Sequence, residues 1–248
     1  KLVNYIDTIL KKIILVLFLI ILNSCENNQS NMKVNVDIKN FKKGMVYFQK
    51  ISDSALINID SIFVDSGNPI SFSYNIESPE LFYINLDISK IENRIEFFGD
   101  KGQINISTSL EKFNSDYKVS GSKIDSIYRD YLKMIKKFNN KTLDLIELSF
   151  NLSKTNLIDS IKKVEKEIES LNKRRYLYNL NYVVNNGNNY ISPLIAINEF
   201  SESSKMVTDT IIKSMSKKVL DSKYGKIYSE ISKKKLSRSI IEFIAKYL

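Results

Sequence analysis

The sequence predicts an α+β protein: an antiparallel β-sandwich or open barrel of about eight strands, followed by a helical C-terminal half. Two periodicities and one composition predict it. Apolar residues alternate with a period of two from Lys33 to Gly121, and from Ser122 onward they recur with a period near 3.6. With 43% hydrophobic residues in 248, the chain has enough apolar material for a sizeable core. No internal repeat interrupts the order of strands and then helices, which is the order of the α+β class.

Taken in order, the first element is not part of the fold. Ile13 to Leu22 form an unbroken apolar run of ten residues behind Lys11 and Lys12, and the chain turns polar immediately afterwards. A membrane-spanning helix needs about twenty such residues. A basic start, a short apolar core and a small residue at the cut read instead as a secretory signal peptide. The sole cysteine of the chain, Cys25, follows directly in Leu22-Asn23-Ser24-Cys25. That stretch resembles the lipobox of bacterial lipoproteins, with Asn23 a departure where a smaller residue is usual. The resemblance implies cleavage between Ser24 and Cys25, diacylglycerol on the Cys25 sulfur and acylation of the new amine. Several chains are needed because a single acyl chain holds a protein only marginally. Residues 1–24 are then the signal, and 25–31, polar and aperiodic, a flexible tether.

The β-rich domain is expected over residues 32–121. Its runs are "KVNVDI", "GMVYFQK", "LINIDSIFV", "PISFSYNI", "LFYINLDI", "RIEFF", "QINISTSL" and "YKVSG", separated by glycine-, proline- and aspartate-containing turns. The helical region, 122–248, opens with a stripe of Ile124, Ile127, Tyr128, Tyr131, Leu132 and Ile135, predicting a helix from about Ser122 to Phe138. Ile158, Ile161, Ile168, Leu171, Tyr178 and Tyr182 mark a longer one, which "NNGNN" stops. Ser192-Pro193 is expected to open another, with serine as cap and proline in the first turn. Amphipathic stretches over 206–220, 222–235 and 237–248 complete the chain.

Several short signatures group together. They are Asp60-Ser61, Asp65-Ser66-Gly67, the turn carrying Gly99, Asp100, Gly102 and Ile104, and the exit Val119, Gly121, Ser122. "NNYISPLIAI" from Asn188 and "SKYGKIY" from Ser222 extend the set. With them the chain, from about Met32 to Lys235, resembles the domain of unknown function and helical connector at the amino end of Bacteroidetes-type thioredoxin-like thiol-disulfide oxidoreductase lipoproteins. Longer members of that family add a thioredoxin-like domain with a Trp-Cys-x-x-Cys site. This sequence has no tryptophan and no second cysteine, so the resemblance implies the accessory part without the redox activity.

Composition excludes more chemistry than it supports. With no histidine, the commonest general base and metal ligand are missing, and one cysteine allows neither an intramolecular disulfide nor a zinc site of Cys and His. The formal charge of +9 is scattered, with short clusters at Arg174-Arg175 and Lys233-Lys235 that read as solvated helix faces and not as a nucleic-acid footprint. Ser-x-x-Lys spacings occur at Ser120–Lys123, Ser214–Lys217 and Ser232–Lys235. A serine activated by a desolvated lysine uses that spacing, but a chain rich in both residues produces it by chance. Ser120 and Ser122 are better read as leaving a strand and capping the next helix. Asp60, Asp65, Asp87 and Asp100 lack calcium-loop spacing. Tyr47, Tyr74 and Tyr83 offer rings for stacking on a sugar or peptide, although half-buried strand aromatics need no ligand.

The expectation is therefore a non-catalytic binding or interaction module, without cofactor, metal or nucleic acid, held at the outer membrane of the cell envelope by lipid on Cys25. The rival expectations are an accessory piece of a thiol-disulfide oxidoreductase and a purely structural envelope lipoprotein.

Overall fold

The computed structural model describes residues 30–234, apart from 53–54, 66, 88–93 and 156. Cys25, its cleavage site with Ser24, and the stretch 237–248 lie outside the described residues. Eight strands come first: β1 (Met32–Lys39), β2 (Lys43–Ser52), β3 (Ala55–Asp65), β4 (Ile70–Tyr74), β5 (Glu80–Leu86), β6 (Arg94–Gly99), β7 (Gly102–Ser109) and β8 (Lys118–Ser120). They form two four-stranded sheets, in the orders β4-β1-β7-β8 and β3-β2-β5-β6. The predicted sandwich is thus the observed architecture, with one departure from antiparallel pairing. β1 and β7 run parallel, Val34 opposite Ile104 and Val36 opposite Ile106. Those two strands lie far apart in sequence, so no tight turn dictates their relative direction.

Alternation decides which side chains meet between the sheets. Val34 and Val36 of β1, Val46 and Phe48 of β2, Phe72 of β4, Phe82 and Ile84 of β5, Ile95 and Phe97 of β6, and Ile104 and Ile106 of β7 are all buried in one cluster. The rings of Phe48, Phe72 and Phe82 stack with centroids 5.3 and 5.1 Å apart around Phe48. The opposite side chains of β5 and β6, Leu81, Tyr83 and Phe98, belong to a second core shared with the helices. This is why β5 reads as a nearly continuous apolar run: both of its faces are covered.

The helices are α1 (Lys123–Ser153), α2 (Ile158–Asn185), α3 (Ile191–Phe200), α4 (Lys205–Ser214), α5 (Lys217–Leu220) and α6, helical over 223–234. The exit from the sandwich depends on Gly121, whose φ is +90° and where a Cβ would lie 2.0 Å from the Gln103 carbonyl oxygen. Ser122 then caps α1 as expected, its Oγ accepting from the Asp125 N–H at 3.1 Å. α1 continues well past Phe138, with Leu145 and Leu152 keeping the apolar period along the face turned to α2.

Other boundaries differ from expectation. Ser192 does not cap α3: Tyr190 holds that position, and the buried Ser192 hydroxyl donates to the Asn186 carbonyl at 2.7 Å, tying α3 to the end of α2. The stretch 206–220 is two helices, because the chain leaves helical geometry at Met215, with ψ of 137°. From Asn31 on, the described residues belong to one compact unit.

Candidate functional site

The strands that carry the core also carry two charged residues in its phase. Lys50 follows Val46 and Phe48 at a spacing of two, and Glu80 precedes Phe82 and Ile84 in the same way. Both sit at strand ends, so they stand at the rim of the sandwich instead of its middle. There they meet the start of α6 in a cleft of about 600 Å³, with Tyr74, Ser78, Lys223 and Lys226 among its lining residues.

The floor of the cleft is an ion network. The Lys50 ammonium donates to the Tyr74 hydroxyl at 2.5 Å, lies 3.6 Å from Glu80 Oε1 and stands 4.9 Å from the Tyr74 ring centroid. The Lys223 ammonium donates to the other Glu80 oxygen, and at 2.7 Å to the Ile51 carbonyl. The Glu80 side chain is only 8% exposed, so its charge is satisfied by these two lysines and not by water. Burial alone would lower the Lys50 pKa; the Tyr74 hydrogen bond and the Glu80 charge outweigh it and hold the ammonium above its usual value. The α6 backbone closes the same wall. Lys223 N–H donates to Ser78 Oγ at 3.3 Å, and the Tyr224 hydroxyl accepts from Leu81 N–H at 3.0 Å.

A lysine held protonated between a phenol and a carboxylate is neither a nucleophile nor a base. What the cleft offers is fixed charge of both signs, with Glu77, Asp221 and Lys226 at its rim. That arrangement suits recognition of a polar ligand.

A second network joins α1 to β6 and is a joint, not a site. Asp125, 2% exposed, accepts from Phe98 N–H at 2.8 Å and from Arg129 Nε at 3.1 Å. Arg129 also donates to the Tyr117 hydroxyl at 2.6 Å and to the Glu96 carbonyl, while the Tyr128 hydroxyl reaches the Glu96 carboxylate at 3.1 Å.

The residues singled out from sequence fall elsewhere. Ser120 Oγ donates to the Asn105 carbonyl and Ser214 Oγ to the Ile211 carbonyl, so the hydrogen bonds of both hydroxyls go to backbone and neither goes to the lysine three residues on. Ser232 is buried, and its partner Lys235 lies outside the described residues. Asp60 lies on β3 and Asp100 in the β6–β7 turn, and no group of three or more possible metal ligands occurs among the described residues. Of the three tyrosines, Tyr83 is buried under the helices, Tyr74 points into the cleft, and Tyr47 is half-buried on β2. Lys50, Glu80 and Lys223 escaped the sequence reading. The legible signal was a charge in core phase on each of two strands; the third member comes from a helix 143 residues after Glu80.

Residues 32–128 match the model of a family described as a domain of unknown function (DUF4369). The match starts at the first residue of β1 and ends at Tyr128, so it takes in the sandwich and the first turns of α1, including Asp125. A search for similar curated proteins returned no match. Among the described residues no helix is long and apolar enough to cross a membrane.

Proposed function

We propose that the protein is a lipid-anchored cell-envelope module that binds a partner and performs no catalysis of its own. The observation that favours binding is the cleft floor, where Lys50, Glu80, Lys223 and Tyr74 converge from three strands and a helix with no activated nucleophile among them. Leu22-Asn23-Ser24-Cys25 behind its apolar run supports the anchor, which would sit on the outer membrane through acyl chains at Cys25. Mass spectrometry of the mature amino terminus tests the anchor. A diacylglyceryl group on Cys25, lost together with cleavage in Cys25→Ala, is the expected result. An unmodified Cys25 or a cut elsewhere removes this part of the proposal.

A second reading, an accessory part of a thiol-disulfide oxidoreductase, is favoured by the family match over 32–128 together with the signatures at Gly99–Ile104 and Val119–Ser122. On this reading the chain supplies binding surface to a redox partner and no thiol chemistry. The only thiol is Cys25, and thiolate is the nucleophile of that chemistry. The purified soluble part should therefore not reduce insulin disulfides, and measurable reduction would contradict both readings.

A further inference from the structure

Four strands end the two sheets, and three of them are short: β4 has 5 residues, β6 has 6 and β8 has 3. The fourth, β3, has 11 and is the longest strand described. Long open edges present rows of unpaired N–H and C=O groups, and proteins usually blunt them with lysine, proline or brevity. β3, "ALINIDSIFVD", has no lysine, arginine or proline. Every residue of it except Val64 is at least partly exposed. Phe63 is 50% exposed, and Leu56 lies beside the exposed Ile51 of β2.

The edge is not indifferent to what joins it. Its charges are acidic alone, Asp60 and Asp65. Asp65 is opposite Lys43 on β2, but Asp60, the middle residue of the strand, is opposite Phe48. A second copy pairing antiparallel over all 11 residues would set Asp60 directly against its own counterpart, and like charges so placed repel. The irregularity in register at Phe48/Gln49 twists the edge further from a flat self-template. Such features reject one class of partner while leaving another.

We propose that β3 is a docking edge for an extended segment of another protein, which adds as a strand with a lysine or arginine opposite Asp60 and apolar side chains beside Leu56 and Phe63. Main-chain bonds would supply affinity, and the charge pair the choice of partner and register. The proposal does not depend on lipid attachment: peptide binding by a chain with unmodified Cys25 would fail the anchor and leave the docking edge standing.

The test uses the full chain and two blocked 11-residue peptides of alternating threonine and valine, one with lysine and one with glutamate at the sixth position. The lysine peptide should bind saturably at least tenfold more tightly than the glutamate peptide, and amides of 55–65 should gain hydrogen-exchange protection. Asp60→Asn, at an exposed position, should bring the two affinities within about twofold. Equal affinities for the unaltered chain, no saturable binding, or protection elsewhere would overturn the proposal. So would a concentration-dependent dimer strengthened by Asp60→Asn, since the occupant would then be a second copy.

Discussion

The two ends of the α1–α2 hairpin are built from the same helices and differ in what they touch. At the base, Tyr128 and Tyr131 of α1 and Asn179 and Val183 of α2 are buried, packed with β5, β6 and the later helices. Toward the tip, the cluster consists of Leu145, Val164 and Leu171 with Phe138, Leu152 and Ile168, all from the two helices themselves. Beside it Leu143, Ile146 and Phe150 recur at a spacing of three and four and are 62, 50 and 61% exposed. α1 is about 46 Å long at 1.5 Å per residue, so one helix spans two regimes. A helical period shows that a face is apolar; how large a core that face joins depends on what else packs on it. The base should therefore fail with the whole protein, and the tip by itself.

Alkaline pH should produce the largest separation of the two ends. Burial, and then the nearby Glu96 carboxylate, pushes Tyr83 up to about 12; burial and the neighbouring Tyr178 do the same for Tyr182. Burial also raises Tyr128, Tyr131, Tyr224 and Tyr228. All belong to the core at the base, whereas residues 139–170 contain no tyrosine. A pKa raised by folding means that the native state favours the neutral phenol. Its contribution is complete below the unfolded value near 10 and is lost as pH rises through the folded value. Helix signal at 222 nm should fall together with the rise of tyrosinate absorbance between pH 10 and 12. Ordinary phenol titration near pH 10 with helix content unchanged would show that these rings are not packed as described.

Asp125→Ala comes next. It strips Arg129 of its carboxylate and leaves the buried Phe98 N–H without an acceptor. Breaking a buried pair costs about 3 kcal/mol even where one partner is partly solvated. Urea denaturation should show this as one cooperative loss, in sandwich and helix signals alike. Loss of helix signal alone would mean that the sandwich stands without α1 and that the Asp125–Arg129 joint does not couple the two.

The parts of this contrast that were legible in the sequence are those set by local periodicity. The eight strand runs, the capping Ser122 and the start and end of α2 all follow from spacing and turn chemistry. The depth of each apolar residue does not follow. Ile158, Ile161 and Ile168 were expected on the docked stripe of α2. Ile158 is 63% exposed and the other two are half-buried, while Val164, three residues after Ile161 and four before Ile168 on the same face, is 7% exposed. The period puts Val164 at the centre of the stripe and Ile158 at its margin, but how deeply Ile161 and Ile168 are covered depends on where α1 lies. The cleft was less legible still. Lys50 and Glu80 were marked by their phase on β2 and β5, but Lys223 reaches Glu80 across a chain separation that no pattern encodes.

Val164→Asp sharpens the contrast at the tip. An unpaired carboxylate in a core of so few residues should cost about 2 kcal/mol locally. Amide exchange over 141–170 should accelerate to match, while the main melting transition barely moves, because local opening does not require the base to open. A fall in the main transition as large as that of Asp125→Ala would join tip and base into one cooperative unit.

The smallest effect is expected from the paired substitution Ile146→Ser and Phe150→Ser. Both side chains already meet water over half their surface, so little burial is lost when they are shortened. Surface changes away from caps and packed contacts usually stay within about 0.5 kcal/mol. Serine is about as good a helix former as isoleucine or phenylalanine, so propensity changes by no more than about a few tenths of a kcal/mol. Hydrogen exchange at the tip and the melting transition should both remain near their original values. Val164→Asp is the contrast, since it lies on the same two-helix segment but puts a charge at a buried position. If the serine pair destabilises the tip as much as the aspartate does, then the stripe Leu143–Ile146–Phe150 is covered by something in solution. The tip would then be a second base, built against a partner instead of a sheet.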